Sequence, residues 1–397
     1  MARVLGRFLA IRTADELASQ MLNVAIGWYV YSATHNPMSL AYAGLAQFLP
    51  NAAMALVAGH AADRFERRRV VAWALFAQGV GLAGFTAWTV VGAASAAPVY
   101  VLLLLMGAAR SFGSPSMSAL LPNVVSDEEF PRAVAAATST MQICTIAGPA
   151  VGGMLYAVGG RVVFAVAAAL YFAAITQAWR LPAGAPRSVS TDESMLAGIR
   201  YVRSNRLLLG LLSLDLFAVL LGGVTALLPI YARDILAVGP IGLGWLRCAP
   251  GAGAAVVGLL LARRSIDHSA GRTMLACVAG FGAATVVFAV SMNFWLSLGA
   301  LAIAGGFDMV SMVIRQTMLQ VATPDAMRGR VSAVNWVFIG ASNELGEFES
   351  GATAALFGTV PAALIGGLGT LAVVGLWAIL FPELRRPRER VVAVVVD

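Results

Sequence analysis

Apolar runs of about 20 residues, each long enough for a ~30 Å hydrocarbon core, recur along the chain. They centre near residues 22, 50, 80, 107, 144, 170, 217, 251, 280, 304, 343 and 370. In lipid a backbone must satisfy its own hydrogen bonds, which a helix does within one segment. A barrel requires short alternating segments instead, and these runs do not alternate. The pattern therefore predicts an all-α integral membrane protein with twelve transmembrane helices. Composition agrees: 12% of residues are charged, against roughly 25% in a soluble domain. The first run carries Arg12, Asp15 and Glu16 and lacks an A-x-A-like exit, so it reads as helix 1 and not as a cleaved signal.

A pI near 9.8 would suit a nucleic-acid partner, but the positions of the basic residues argue for topology. All 27 are Arg, and 21 of them fall in segments that alternate as one side, among them Arg64 to Arg69, Arg200 to Arg206 and Arg385 to Arg390. Loops of the opposite side hold Arg161 and Arg233. The positive-inside rule then places both termini in the cytoplasm of a multi-pass protein, as in a bacterial inner membrane. The three cysteines, Cys144, Cys248 and Cys277, all lie inside expected spans, which implies packing and neither disulfides nor a metal.

The longest polar segment lies halfway along. It divides an N-terminal six-helix half, 1–181, from a C-terminal half, 206–384, followed by a cytoplasmic tail, 385–397. The linker, 182–205, has a capping box in Ser190 and Glu193. Beyond it, Leu196, Ile199 and Val202 make one apolar side, which suggests a short helix lying on the membrane surface. Sliding one half over the other reveals a repeat. An offset of 198 pairs Gly107 with Gly305, Asp127 with Asp325, Arg132 with Arg330, Gly148 with Gly346 and Gly153 with Gly351. An offset of 200 pairs Asp15 with Asp215, Tyr31 with Tyr231 and Pro50 with Pro250. Glycine matches come cheaply in a chain with 41 glycines, but the Asp, Arg and Pro matches do not. Two parallel pseudo-symmetric halves with a binding cavity between them are transporter architecture.

Two motifs carry a family resemblance. GHAADRFERRRV, residues 59 to 70, resembles the helix 2 to 3 signature G-x-L-A-D-R-x-G-R-[RK] of the major facilitator superfamily, with Ala61 and Glu66 departing from it. Helix 5 reads CTIAGPAVGG, residues 144 to 153, and resembles the antiporter signature G-x-x-x-G-P-x-x-G-G, with Cys144 in place of the leading glycine. ATPDAMRGRVSAV (322 to 334) and SNELGEFESG (342 to 351) look like the drug:proton antiporter and enterobactin-exporter-like branch. The resemblance implies the major facilitator fold and efflux of a small amphipathic compound. It also implies a cytoplasmic gate of Gly59, Asp63, Arg64, Arg67 and Arg68, and an antiporter helix of Gly148, Pro149, Gly152 and Gly153. For residues 63 to 69 a plain positive-inside loop is the competing account, and for helix 5 ordinary packing of small residues is.

Ionisable groups inside spans mark functional sites by default. Arg12, Asp15, Glu16, Ser19, Gln20 and Asn23 share an arc of about 140° on helix 1. Asp15 or Glu16 then belongs either to a self-neutralised cluster with Arg12 or to an inner mouth and proton path. Arg110 and Asp308 occupy equivalent places in the repeat and are candidates to pair across a cavity; Asp215 and Arg247 complete the set, for which structural ion pairs are the competing account. Glu344 and Glu347 lie about 60° apart on one helix face, away from Glu349. Two carboxylates crowded in a low-dielectric cavity repel, so one of them can hold a proton. They can also bind a cationic substrate, or pair with Arg110 or Arg247.

The expectation is thus a proton-coupled efflux transporter, working by alternating access as a monomer surrounded by membrane lipid, with protons and a small-molecule substrate as partners. The alternatives are an importer or a receptor that kept the fold without transporting. An enzyme is disfavoured, because no His-rich cluster, Walker A or G-x-S-x-G sequence occurs. No cofactor and no metal site are expected.

Overall fold

The computed structural model describes residues 2–91, 97–126, 128–182, 195–262 and 270–385. Helices account for nearly all of it. In the first part of the chain these are α1 (Ala2–Thr34), α2 (Pro37–Arg64), α3 (Arg67–Val91), α4 (Ala97–Val124), α5 (Phe130–Val158) and α6 (Gly160–Trp179). Next come α7 (Met195–Ser204), α8 (Arg206–Gly222) and the three-residue α9 (Leu228–Ile230). The rest are α10 (Gly239–Leu261), α11 (Ala270–Val290), α12 (Phe294–Val321), α13 (Arg328–Phe357) and α14 (Thr359–Leu380). Among the described residues, nine helices are long and apolar enough to cross a membrane. The other three expected spans coincide with α1, α2 and α13, which have 33, 28 and 30 residues. Polar groups lower the hydropathy of α1 and α13, notably Arg12, Asp15 and Glu16 on the first and Glu344, Glu347 and Glu349 on the second.

Side-chain caps start several helices. Asn36 Oδ1 accepts from the Met38 amide at 3.0 Å, and Asn205 and Asn293 each accept from two amides of the following turn. These contacts satisfy donors that the first turn of a helix leaves open.

The chain packs as two compact units. One comprises residues 1–189 and 229–248, the other 190–228 and 249–397. Residues 229–248 therefore depart from the sequence division at 206 and pack with the first unit. The chain leaves regular helix on the way in: α8 ends at Gly223, a short 3₁₀ turn follows over Val224–Leu227, and Tyr231–Ile235 form one wide π turn. Ser350 Oγ on α13 donates to the Gly223 carbonyl at 2.9 Å, covering a backbone acceptor that the break exposes.

The repeat seen in sequence has a packing counterpart inside each unit. α4 and α12 are both 28 residues long. A Cβ on Gly107 of α4 would run into the carbonyl of Gln47 on α2, and one on Gly305 of α12 into the carbonyl of Pro250 on α10. Gly148 likewise faces Gln20 of α1, and its repeat partner Gly346 faces Val219 and Leu220 of α8. Matched glycines therefore let matched helix pairs approach closely, which is how helices without a hydrophobic drive between them gain contact in lipid.

The linker helix α7 lays its apolar side on protein. Val202 is 2% exposed within a core cluster that includes Leu208, Leu211, Val331 and Val334, and Ile199 packs against the same cluster. Gly198 lies against the Arg330 backbone of α13. Protein covers the apolar side of α7 because α13 offers a matching groove. The Leu196 side chain and the capping pair Ser190 and Glu193 lie outside the described residues, as does the tail beyond 385.

Candidate functional site

In the first unit, α1, α3 and α4 enclose a small polar cavity of about 80 Å³, lined among others by Arg12, Asp15, Glu16, Gln78, Arg110 and Ser114. Three sequence candidates, Asp15, Glu16 and Arg110, thus meet in one place. The position on α1 follows from helical spacing: Arg12, Asp15 and Glu16 stand within one turn and share a face. Arg110, Glu16 and Arg12 all act electrostatically on Asp15. Gln20 Nε2 donates to Glu16 Oε1 at 2.8 Å, which orients that carboxylate along α1. Arg12 Nη2 reaches the Met141 sulfur of α5 at 3.6 Å. Two acids and two arginines balance in formal charge within the cavity wall.

Sequence reasoning passed over one residue of the cavity wall and one buried near it. Gln78 of α3 is buried at 4% exposure on the cavity wall. Tyr171 of α6 is fully buried, with Asp15, Arg110 and Glu16 within electrostatic reach of its hydroxyl. A glutamine inside a span is a readable signal, whereas a tyrosine in an apolar run looks like packing.

The helix 2 to 3 signature divides into two roles. Arg67 is 5% exposed and its Nη1 donates to the Ala119 carbonyl of α4 at 3.0 Å. Arg68 Nη1 donates to the Leu181 carbonyl at 2.6 Å while its Nε meets Glu66 at 2.5 Å. These two tie the α2–α3 turn to α4 and to the end of α6. Arg64 and Arg69 are exposed. The surroundings of Gly59 and the side chain of Asp63 lie outside those described.

The helix 5 signature is a close-packing seam. Gly148, Pro149, Gly152 and Gly153 are all buried. A Cβ on Gly152 would sit 2.8 Å from the Met21 backbone of α1, and one on Gly153 2.5 Å from the Pro240 carbonyl. On α10, Gly244 meets the Pro149 carbonyl in turn. One helix thus touches α1 on one side and residues 240–244 on the other. The Cys248 thiol donates to the Ile146 carbonyl at 2.7 Å on the same seam. Arg247 is half-buried, its guanidinium near Gly27 of α1.

In the second unit Asp215 of α8 pairs with Arg315 of α12, whose side chain is 5% exposed. Arg315 was not a sequence candidate, although an arginine inside the run 294–321 was signal enough. Of the two open accounts for Asp215, this contact favours the structural ion pair. Asp308 is exposed on α12, and Glu344 and Glu347 are half-buried on α13. Glu349 accepts from Thr353 Oγ1 at 2.7 Å, along its own helix. Among the described residues, no group of His, Cys, Asp and Glu side chains could hold a metal ion.

The family model for transmembrane secretion effectors matches residues 7–391. This chain belongs to that family, in the enterobactin-exporter-like branch of the major facilitator superfamily. It is 28% identical over 393 residues to the enterobactin exporter EntS of Escherichia coli O1:K1, covering 97% of this chain and 92% of that protein. EntS of Escherichia fergusonii matches to the same extent. Among solved structures, the nucleoside transporter NupG superposes with a TM-score of 0.71 at 13% identity, covering 95% of this chain and 99% of that one. A bacterial homolog of the lysosomal transporter Spinster gives 0.73 at 14%, covering 96% of each. Family and relatives are membrane transporters and not enzymes. The secretion-effector chain described here is therefore a multi-pass secondary transporter of a small molecule.

Proposed function

We propose that the chain exports a small amphipathic molecule, siderophore-like or drug-like, in exchange for protons, by alternating access as a monomer in a bacterial inner membrane with both termini cytoplasmic. The observation that carries this reading is the meeting of Asp15, Glu16 and Arg110, with buried Gln78, in one polar cavity inside an apolar unit. Similarity along 97% of the chain to an exporter of enterobactin supports the outward direction and the substrate class.

In this scheme a proton entering from outside binds Asp15 or Glu16 and releases the repulsion between the two carboxylates. Arg110 then loses part of its counter-charge and is available to a substrate's anionic or hydroxyl groups. Deprotonation toward the inside restores the Arg110 contact and resets the site. Glu344 and Glu347 of α13 are the second-unit candidates for the same proton or for a cationic group.

The test is transport into everted vesicles under an imposed proton gradient, with a catecholate siderophore and a panel of lipophilic cations as substrates. Accumulation that collapses with a protonophore is expected, and it should vanish in Asp15→Asn and Glu347→Gln while substrate binding persists. Uphill uptake by intact cells, or full coupling in both variants, overturns the reading.

A further inference from the structure

The α3 surface beside the polar cavity, with Ala74 in the wall of both cavity and first groove, carries two grooves. The first, about 560 Å³, runs between α2, α3 and α4 and is lined by Arg69, Trp73, Ala77, Leu105 and Ala108, with Glu66 at its mouth. The second, about 470 Å³, continues along α3 and α4 past Gly81 and Gly84 to Trp88, and Leu105 borders both. The α3 positions 69, 73, 77, 81, 84 and 88 fall three or four residues apart, so they form one stripe down most of the helix. At 1.5 Å per residue, Arg69 to Ala77 spans about 12 Å, and Arg69 to Trp88 about 28 Å. These are close to the depth of one leaflet and of a full hydrocarbon core of ~30 Å. Leu105 therefore divides the stripe where two leaflets would meet.

The two grooves differ at their mouths. The lining of the second contains no charged residue. The first opens beside residues 63–69, which hold four arginines against Asp63 and Glu66. Arg67 and Arg68 are committed to backbone carbonyls of α4 and the end of α6. Arg69 meets Glu66 at 2.7 Å but leaves 61% of its side chain exposed. It also sits in the first turn of α3, where the helix dipole adds to the attraction for an anion. Trp73, 62% exposed one turn farther in, presents an amphipathic ring at the depth of the interface.

We propose that the first groove is a binding site for a phospholipid with an anionic headgroup, its phosphate on Arg69 and one acyl chain lying along Trp73 and Ala77 as far as Leu105. The chain argument is apolar area at leaflet depth. The headgroup argument is that an exposed arginine, Arg69, forms part of the first groove's wall, whereas Arg161, at the far end of the second, donates to the Thr89 carbonyl and is not in its lining. Glu66 competes with the headgroup for Arg69, so it tunes the site.

The experiment uses the purified full chain in mixed micelles holding equal parts phosphatidylglycerol and phosphatidylcholine, with retained lipid counted by native mass spectrometry. Phosphatidylglycerol should be retained about fivefold over phosphatidylcholine, the magnitude one arginine contributes near a membrane surface. Arg69→Gln should abolish that preference while retention of some lipid persists. Glu66→Gln should increase the preference, an effect that loss of a structural ion pair alone would not produce. Ala77→Phe, which fills the groove, should lose both lipids. Equal retention of the two lipids by the unsubstituted chain overturns the proposal, as does an unchanged preference in Arg69→Gln. Displacement of the bound lipid by a transported substrate would reassign the groove to substrate entry and overturn it as well.

Discussion

The Tyr31 hydroxyl at the end of α1 donates to the carboxylate of Asp234, in the π turn that follows α9. Arg233 beside it stacks over Trp28 of α1 at 6.0 Å. Residues 229–248 are held to the first unit by this bond and by the glycine seam on α5, though they are joined in sequence to helices of the second. A hydrogen bond to a charged group contributes about 1.5–3 kcal/mol. Tyr31→Phe should therefore loosen the segment. In a background carrying Cys144→Ser and Cys277→Ser, reaction of buried Cys248 with a membrane-permeant maleimide should run about tenfold faster than in the same background with Tyr31 intact. An unchanged rate would mean that the seam alone holds the segment.

The Asp215 and Arg315 pair should show the asymmetry of a buried ion pair. Asp215→Asn or Arg315→Met leaves one charge uncompensated and should lower stability by about 3–5 kcal/mol, whereas replacing both with apolar residues of similar volume should be near neutral. Thermal unfolding of the purified chain in detergent distinguishes these outcomes. If both single variants are as stable as the parent, the contact has no structural role.

The helix 5 glycines should be intolerant in proportion to how near their neighbours lie. Gly152→Ala forces a methyl group to within 2.8 Å of the Met21 backbone and should destabilise, by about 1–3 kcal/mol as overpacking does. Gly299→Ala meets nothing within 4 Å and should be silent. Yield of monodisperse protein and melting temperature read out the difference.

Tyr171→Phe removes a buried hydroxyl within electrostatic reach of Asp15, Glu16 and Arg110 without changing the packed ring. Proton-driven transport should fall about a hundredfold, the low end of what one positioned acid–base group contributes, while the melting temperature holds. A normal transport rate would assign the hydroxyl to packing alone.

The run of charge and hydropathy along the chain was enough to establish membrane class and the helical fold, because a helix in lipid satisfies its backbone locally and needs about 20 apolar residues to do so, while the family was legible in the resemblance of residues 59–70 and 144–153 to its signatures. Helical periodicity alone also placed Arg12, Asp15 and Glu16 on one face. Their meeting with Arg110, Gln78 and Tyr171 was another matter. It depends on how α1, α3, α4 and α6 are rotated against one another, and side chains distant in sequence fix that rotation. The same reason hid the partnership of Asp215 with Arg315, the protein-covered side of α7, and the attachment of residues 229–248 to the first unit. Hydropathy specifies that a helix sits in the membrane. Only close packing, set here by glycines such as Gly107, Gly148 and Gly152 against specific neighbours, decides which of its faces meets which helix.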